Sequence, residues 1–138
     1  MLLDTHVWAW SLIEPEFLSG PARLSLEGAT GLAISAVTFY EIAQKVRLGK
    51  WPKMAAYLDR LAALAATQSI AVLPVAGEVG LLAGRLDWLH RDPFDRILAA
   101  TSLTMGLPLI SGDTAFDAVP GLRRIWKARA DRVQSESD

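Results

Sequence analysis

Five acidic residues stand where a carboxylate could meet a ligand: Asp4, Glu41, Asp92, Asp95 and Asp113. Asp4 follows the apolar triplet Met1-Leu2-Leu3, and Asp113 comes two residues after the apolar run Leu107 to Ser111. Glu41 falls in the first turn of a helix expected after the run Leu32 to Val37, and Asp92 and Asp95 bracket Pro93 at the start of another. Carboxylates brought within about 4 Å of one another repel by roughly 4 kcal/mol per pair at an effective dielectric near 20, so such a cluster calls for protons or cations. With no cysteine and two histidines in the chain, the expected donors are oxygens alone, which select a hard ion, Mg²⁺ or Mn²⁺. An ion of that kind bridges a phosphate oxygen and activates a water for in-line attack. The chemistry expected is hydrolysis of a phosphodiester.

The elements that must position these acids alternate. Short strands are expected at 1–4, 32–37, 70–75, 107–111 and 123–126, and helices at 5–13, 21–28, 38–48, 53–66, 77–86 and 93–105. The stops are Gly49 and Gly106, and Pro93 suits a first helical turn. Alternation of this kind predicts an α/β fold, three layers with a mostly parallel central sheet and helices on both faces. The strands are nearly all apolar, as strands buried on both faces should be. In a parallel sheet, ligands bind beyond the carboxyl ends of the strands. Asp4 and Asp113 lie directly beyond two of those ends, and the helix starts that carry Glu41, Asp92 and Asp95 lie at the same edge.

Each acid also has a local, structural reading. Thr38-x-x-Glu41 fits a capping box, Asp92 before Pro93 fits an N-cap, and Asp95 fits a first-turn acid that complements the helix dipole. Asp113 could serve as a turn residue and Asp4 as an N-cap. The shared placement of all five carries the functional reading. His6 and His90 could form a metal or acid–base pair, and His90, near Asp92, could touch substrate; a lone histidine in a loop is more often simply solvated, and neither is assigned a role.

With 138 residues, 51% of them hydrophobic and 21% charged, the chain has the composition of one globular domain, 1–126, with a polar tail, 127–138, expected to fray. No signal peptide or membrane span is expected, which suits a cytoplasmic protein. The formal net charge is −1; setting aside four metal-binding acids leaves a surface with three more basic than acidic groups. Lys45, Arg47, Lys50 and Lys53, with Arg91 and Arg96, are candidates for phosphate contacts. The five tryptophans are expected mainly in core or interface.

Several segments resemble one family in order along nearly the whole chain. Leu2-Leu3-Asp4-Thr5-His6-Val7-Trp8, Ser35-Ala36-Val37-Thr38-Phe39-Tyr40-Glu41, His90-Arg91-Asp92-Pro93-Phe94-Asp95-Arg96 and Leu107-Pro108-Leu109-Ile110-Ser111-Gly112-Asp113 are similar to the motifs of PIN-domain ribonucleases, particularly VapC-type toxins of toxin–antitoxin pairs. The resemblance implies a PIN-like fold and metal-site roles for Asp4, Glu41, Asp95 and Asp113, with Asp92 as helix cap and Asp117 as the alternative to Asp113. It also implies Mg²⁺ or Mn²⁺, an RNA substrate, a homodimer and a cognate antitoxin. Two rivals are a phosphatase or receiver-like domain with a nucleophilic aspartate, in which Ser111 could take part, and a metal-free binding scaffold.

Overall fold

Short, mostly apolar runs become strands, and each is soon cut off by a turn or a helix start. The computed structural model describes residues 1–28 and 30–126. The strands β1 (Leu2–Leu3), β2 (Ala33–Ser35), β3 (Ala71–Leu73), β4 (Leu109–Ile110) and β5 (Arg124–Ile125) form one sheet in the order β3-β2-β1-β4-β5, every pair parallel. The α-helices are α1 (Thr5–Ile13), α2 (Gly20–Gly28), α3 (Val37–Arg47), α4 (Leu61–Thr67), α5 (Gly77–Arg85) and α6 (Pro93–Met105).

Side-chain alternation divides the core into two layers. Leu3, Ile34 and Ile110 pack against Val7 and Trp8 of α1, Ile42 of α3 and Leu61 and Ala65 of α4. Leu2, Ala33 and Leu109 turn to the opposite face, against Leu98 and Ala99 of α6 and against Phe116. Val79 and Ala83 of α5 then pack on Ala100 of α6. Register makes this possible: Leu2 pairs with both Ala33 and Leu109, and Leu3 with Ile110, so residues of one face line up across the sheet. Each wholly buried Leu or Ile contributes about 1.5–3 kcal/mol relative to exposure. Trp8 is fully buried, and its one polar atom is satisfied by a 2.9 Å hydrogen bond from Nε1 to Gln68 Oε1.

Two expectations change. The strand expected over 70–75 is shorter, and it is not buried on both faces: β3 is an edge strand, with Ala71 and Val72 exposed. The helix expected over 53–66 is two pieces, a 3₁₀ segment Pro52–Arg60 and then α4. They join at Arg60, whose ψ of −4° lies in the bridge between the helical and extended regions. The tail expected to fray, 127–138, lies outside the described residues.

The topology fixes where a ligand can bind. From β1 the chain crosses to β2 and β3 on one side, and β4 and β5 lie on the other. The direction of winding therefore switches between β1 and β4, which opens a crevice beyond their carboxyl ends.

Candidate metal centre and cleft

Asp4 and Ser111 stand at that crevice because β1 and β4 run side by side. The pairing continues one residue past the strand, with Asp4 N donating to Ile110 O at 3.0 Å. Asp4 caps α1, its Oδ1 accepting from His6 N over a long 3.4 Å. Its Oδ2 accepts from Ser111 Oγ at 2.7 Å, and Ser111 Oγ accepts from Asp113 N at 3.0 Å. The capping reading and the site reading of Asp4 thus coexist. Ser111 serves as a buried link between two acids.

Glu41 is 2% exposed. Its Oε2 accepts from Lys45 Nζ at 2.8 Å, one helical turn on, while Oε1 is buried with no hydrogen-bond partner. The capping box does not form. Helix α3 begins at Val37 with Ala36 as its cap, so Thr38 is already inside it, and Thr38 Oγ1 instead bonds Thr5 Oγ1 at 2.9 Å. An orphaned buried acceptor costs about 1–3 kcal/mol, more when charged, and marks a place where a partner belongs.

Asp95 is set by the start of α6. Asp92 Oδ1 accepts from Phe94 N at 2.8 Å and Asp95 N at 3.2 Å, and Pro93 occupies the first helical position. At the other end Gly106, with φ of 64°, stops the helix in the left-handed region. Burial pushes the Asp95 carboxyl up to about 6; the hydrogen bond from His90 opposes this, and the negative charges of Asp92 and Asp4 add to it.

Two sequence readings change here. His90 is no free loop histidine: its Nε2 lies 2.7 Å from Asp95 Oδ2, and its ring stacks on Trp88 with centroids 4.7 Å apart at 23°. Arg96 is not turned to phosphate. Its guanidinium donates to four backbone carbonyls, Ala83 O at 2.9 Å, Leu86 O at 2.6 Å, Trp88 O at 2.7 Å and His90 O at 2.9 Å. A planar fork with five donors suits that task, and it fastens the segment 86–90 that carries His90. The signal available in sequence was spacing: His90 and Asp95 straddle the cap and proline that begin α6.

Asp113 caps the 3₁₀ turn Thr114–Ala118 through a 2.9 Å bond from Ala115 N and is otherwise exposed. Asp117 is held by Arg124 through two 2.9 Å bonds and does not line the crevice. Ligand-capable atoms of His90, Asp95 and Asp113 all lie within 4.8 Å of one another. Asp4, Glu41, Asp92, Asp95 and Asp113 line one cleft of about 420 Å³. Trp10, Phe17 and Trp126 give the same cleft an aromatic wall. Trp10 meets Phe17 edge-on at 5.6 Å and Trp126 at 6.3 Å. Of the basic residues expected to meet phosphate, Lys45 lines the cleft but is paired with Glu41, and Lys53 is drawn off by Glu14 at 3.0 Å.

The donor set fits a divalent cation on two counts: the orphaned Glu41 oxygen, and the approach of His90, Asp95 and Asp113. It departs from the oxygen-only set expected from the sequence, because an imidazole nitrogen stands in it.

Residues 1–122 match the family model described as PIN domain. The chain is 31% identical over 116 residues to "Ribonuclease VapC22" of Mycobacterium tuberculosis, covering 82% of this chain and 86% of that protein. FitAcB from Neisseria gonorrhoeae is similar in structure, with a TM-score of 0.65 at 20% identity, covering 90% of this chain and 95% of that one. A toxin–antitoxin complex from Klebsiella pneumoniae gives a TM-score of 0.56 at 21% identity, covering 88% and 93%.

Proposed function

The chain belongs to the PIN domain family, and on that premise we propose that it is a divalent-metal-dependent endoribonuclease, the toxin of a toxin–antitoxin pair. The observation that carries the proposal is the gathering of Asp4, Glu41, Asp95 and Asp113, which lie up to about a hundred residues apart in sequence, along one cleft. Support for ribonuclease action comes from the relative named as a ribonuclease, and support for an antitoxin partner from the similar toxin–antitoxin complex.

In this reading Asp4, Glu41, Asp95 and Asp113 hold Mg²⁺ or Mn²⁺. A divalent ion bound there polarises the scissile phosphate and activates water for in-line attack. The protein supplies position. Ser111 orients the Asp4 carboxylate, Lys45 orients that of Glu41, and His90 that of Asp95. Exposed Arg47, Lys50 and Arg91 take flanking phosphates of the RNA. The antitoxin silences the enzyme by placing a cationic side chain among the acids. The toxin is a cytoplasmic homodimer; exposed Tyr40, Leu81 and Leu89 offer apolar surface for it. No helix of the described residues is long and apolar enough to cross a membrane.

The rival with a nucleophilic aspartate is disfavoured by Ser111, whose hydroxyl is already committed between Asp4 and Asp113. The deciding experiment is RNA cleavage by the purified, antitoxin-free protein with Mg²⁺ or Mn²⁺, with EDTA and with Asp4→Asn. Cleavage that needs both metal and Asp4 is expected. Folded, metal-loaded protein that cuts no RNA of several classes would overturn the reading, and a trapped acyl phosphate would replace it with the rival.

A further inference from the structure

The ring of His6 meets Trp10 and Trp51, and His90 is held from two sides. Its ring lies against Trp88 at 4.7 Å, and Trp88 in turn rests on buried Phe116 at 5.6 Å. Its backbone carbonyl, with those of Leu86 and Trp88, is fixed by Arg96. A loop histidine with no task beyond contact with solvent needs neither the stack nor the clamp. The arrangement also aims one atom: Nε2 points at Asp95 Oδ2, 2.7 Å away.

We infer that His90 Nε2 is a direct ligand of the catalytic cation, which makes the centre a mixed nitrogen–oxygen site rather than an all-carboxylate one. The inference rests on the metal-dependent reading above and deepens it. Donors on neighbouring corners of an octahedron with bonds of about 2.1 Å stand roughly 3.0 Å apart, and those on opposite corners roughly 4.2 Å. The 2.7 Å between Nε2 and Asp95 Oδ2 is close to a neighbouring-corner edge. The bound of 4.8 Å that encloses His90, Asp95 and Asp113 accommodates the opposite-corner span. A cation would enter where one shared hydrogen now lies, with small movements of side chains whose backbones are already fixed. Glu41, which lines the same cleft as Asp95 and Asp113, supplies an independent sign that a cation is taken there: its Oε1 is buried without a partner. A nitrogen donor tilts a site away from Mg²⁺, which keeps to oxygen, and toward the first-row transition series that begins with Mn²⁺. The centre therefore prefers Mn²⁺ over Mg²⁺.

The test uses the full chain and Mn²⁺ alone. Electron spin-echo spectroscopy of bound Mn²⁺ reports ligated imidazole through its ¹⁴N coupling, and the chain has two histidines to separate. The coupling is expected in the unaltered protein and in His6→Gln, and is expected to vanish in His90→Gln. Competition titrations should show the preference for Mn²⁺ over Mg²⁺ falling about tenfold or more in His90→Gln. If His90→Gln does not fold, persistence of the coupling in His6→Gln still assigns it to His90. Mn²⁺ bound without imidazole coupling would overturn the inference and leave the nuclease reading standing, with His90 reduced to a hydrogen-bond partner of Asp95. Coupling that disappears in His6→Gln instead would overturn it as well. Folded protein that binds no Mn²⁺ would overturn both.

Discussion

The two halves of the cleft are built differently. The inner half, Asp4 and Glu41, is 6 and 2% exposed and is set by regular structure: the pairing of β1 with β4 places Asp4, and the third helix places Glu41. The outer half, Asp95 and Asp113, with the His90 ring bonded to Asp95, stands on a first helical turn, a 3₁₀ turn and a loop, held by individual hydrogen bonds. Groups fixed by a sheet and a helix are positioned by the fold itself rather than by single contacts, so they suit the part of a site that must not move. Groups fixed by loops can adjust to a ligand, but each depends on a few named contacts.

The largest expected effect tests the inner half. Asp4→Asn keeps the shape and a hydrogen-bonding oxygen for the helix cap but removes the charge. RNA cleavage should fall by about 10²–10³-fold, the scale seen when one preorganised electrostatic group is lost. Asp113→Asn, at the exposed rim, should cost nearer tenfold, the low end for loss of a supporting group. Single-turnover rates at saturating Mn²⁺ check both. Equal losses would mean that the two halves hold the cation alike.

The next effect tests the outer half through Arg96, which touches no substrate. Arg96→Ala leaves four carbonyls without their donor. Water can replace some of these bonds, so the expected loss is about 2–4 kcal/mol rather than the full sum. Urea denaturation reads it. Arg96→Lys should recover little, because a single ammonium cannot reach carbonyls spread around a guanidinium fork. A loss under about 0.5 kcal/mol, the range of an ordinary surface substitution, would show that the segment 86–90 holds itself.

Asp95 and Glu41 should respond with opposite sign when neutralised. Asp95 binds its proton more tightly folded than unfolded, at about 6 against 3.8. The protonated form therefore favours folding below about 3.8, and that advantage is lost as pH rises through 6. At pH 7.5 without metal the ionised carboxylate is a burden, and Asp95→Asn should stabilise the protein by about 2 kcal/mol. The gain should fade as pH falls from 6 to 4 in thermal melts. Glu41→Gln instead breaks the 2.8 Å ion pair with Lys45 and should destabilise the protein at pH 7.5. Saturating Mn²⁺ should erase the advantage of Asp95→Asn, because the unaltered carboxylate then has its counter-ion.

Much of this arrangement was legible in the sequence because it follows from alternation. Apolar runs ending in Asp4 and in Ser111-Gly112-Asp113 dictate parallel strands with acids at one edge. Asp92-Pro93 and Gly106 dictate the ends of the helix that carries Asp95. What could not be read depends on contacts across the chain. Thr38 looks like a capping residue until Thr5 takes its hydroxyl. Arg96 looks like a phosphate ligand until the fold brings four carbonyls around it. His90 looks idle until Trp88 and Asp95 close on it, and β3 looks buried until its place at the sheet edge is known. The motifs set the family resemblance; side-chain competition decides which residue serves which part of the site.

The smallest effect asks whether the aromatic wall and the outer acids are coupled. Gly112 lies between Ser111 and Asp113, and a Cβ built there would stand 3.1 and 3.2 Å from Cε2 and Cζ2 of the Trp126 ring. Gly112→Ala must therefore move the indole by a few tenths of an ångström or move the turn that carries Asp113. The ring is the softer of the two: it packs on Trp10 by a tilted contact, whereas Asp113 is tied at its amide to Ser111 and at its carboxylate to Ala115. The expected cost is about 1 kcal/mol, typical of one added methyl at a tight contact. It should appear as a fall in melting temperature of about 3–5 °C and a shift in tryptophan fluorescence, with Mn²⁺ affinity unchanged. Weakened Mn²⁺ binding in Gly112→Ala would mean the turn moved instead, and would make the aromatic wall part of what holds Asp113 in place.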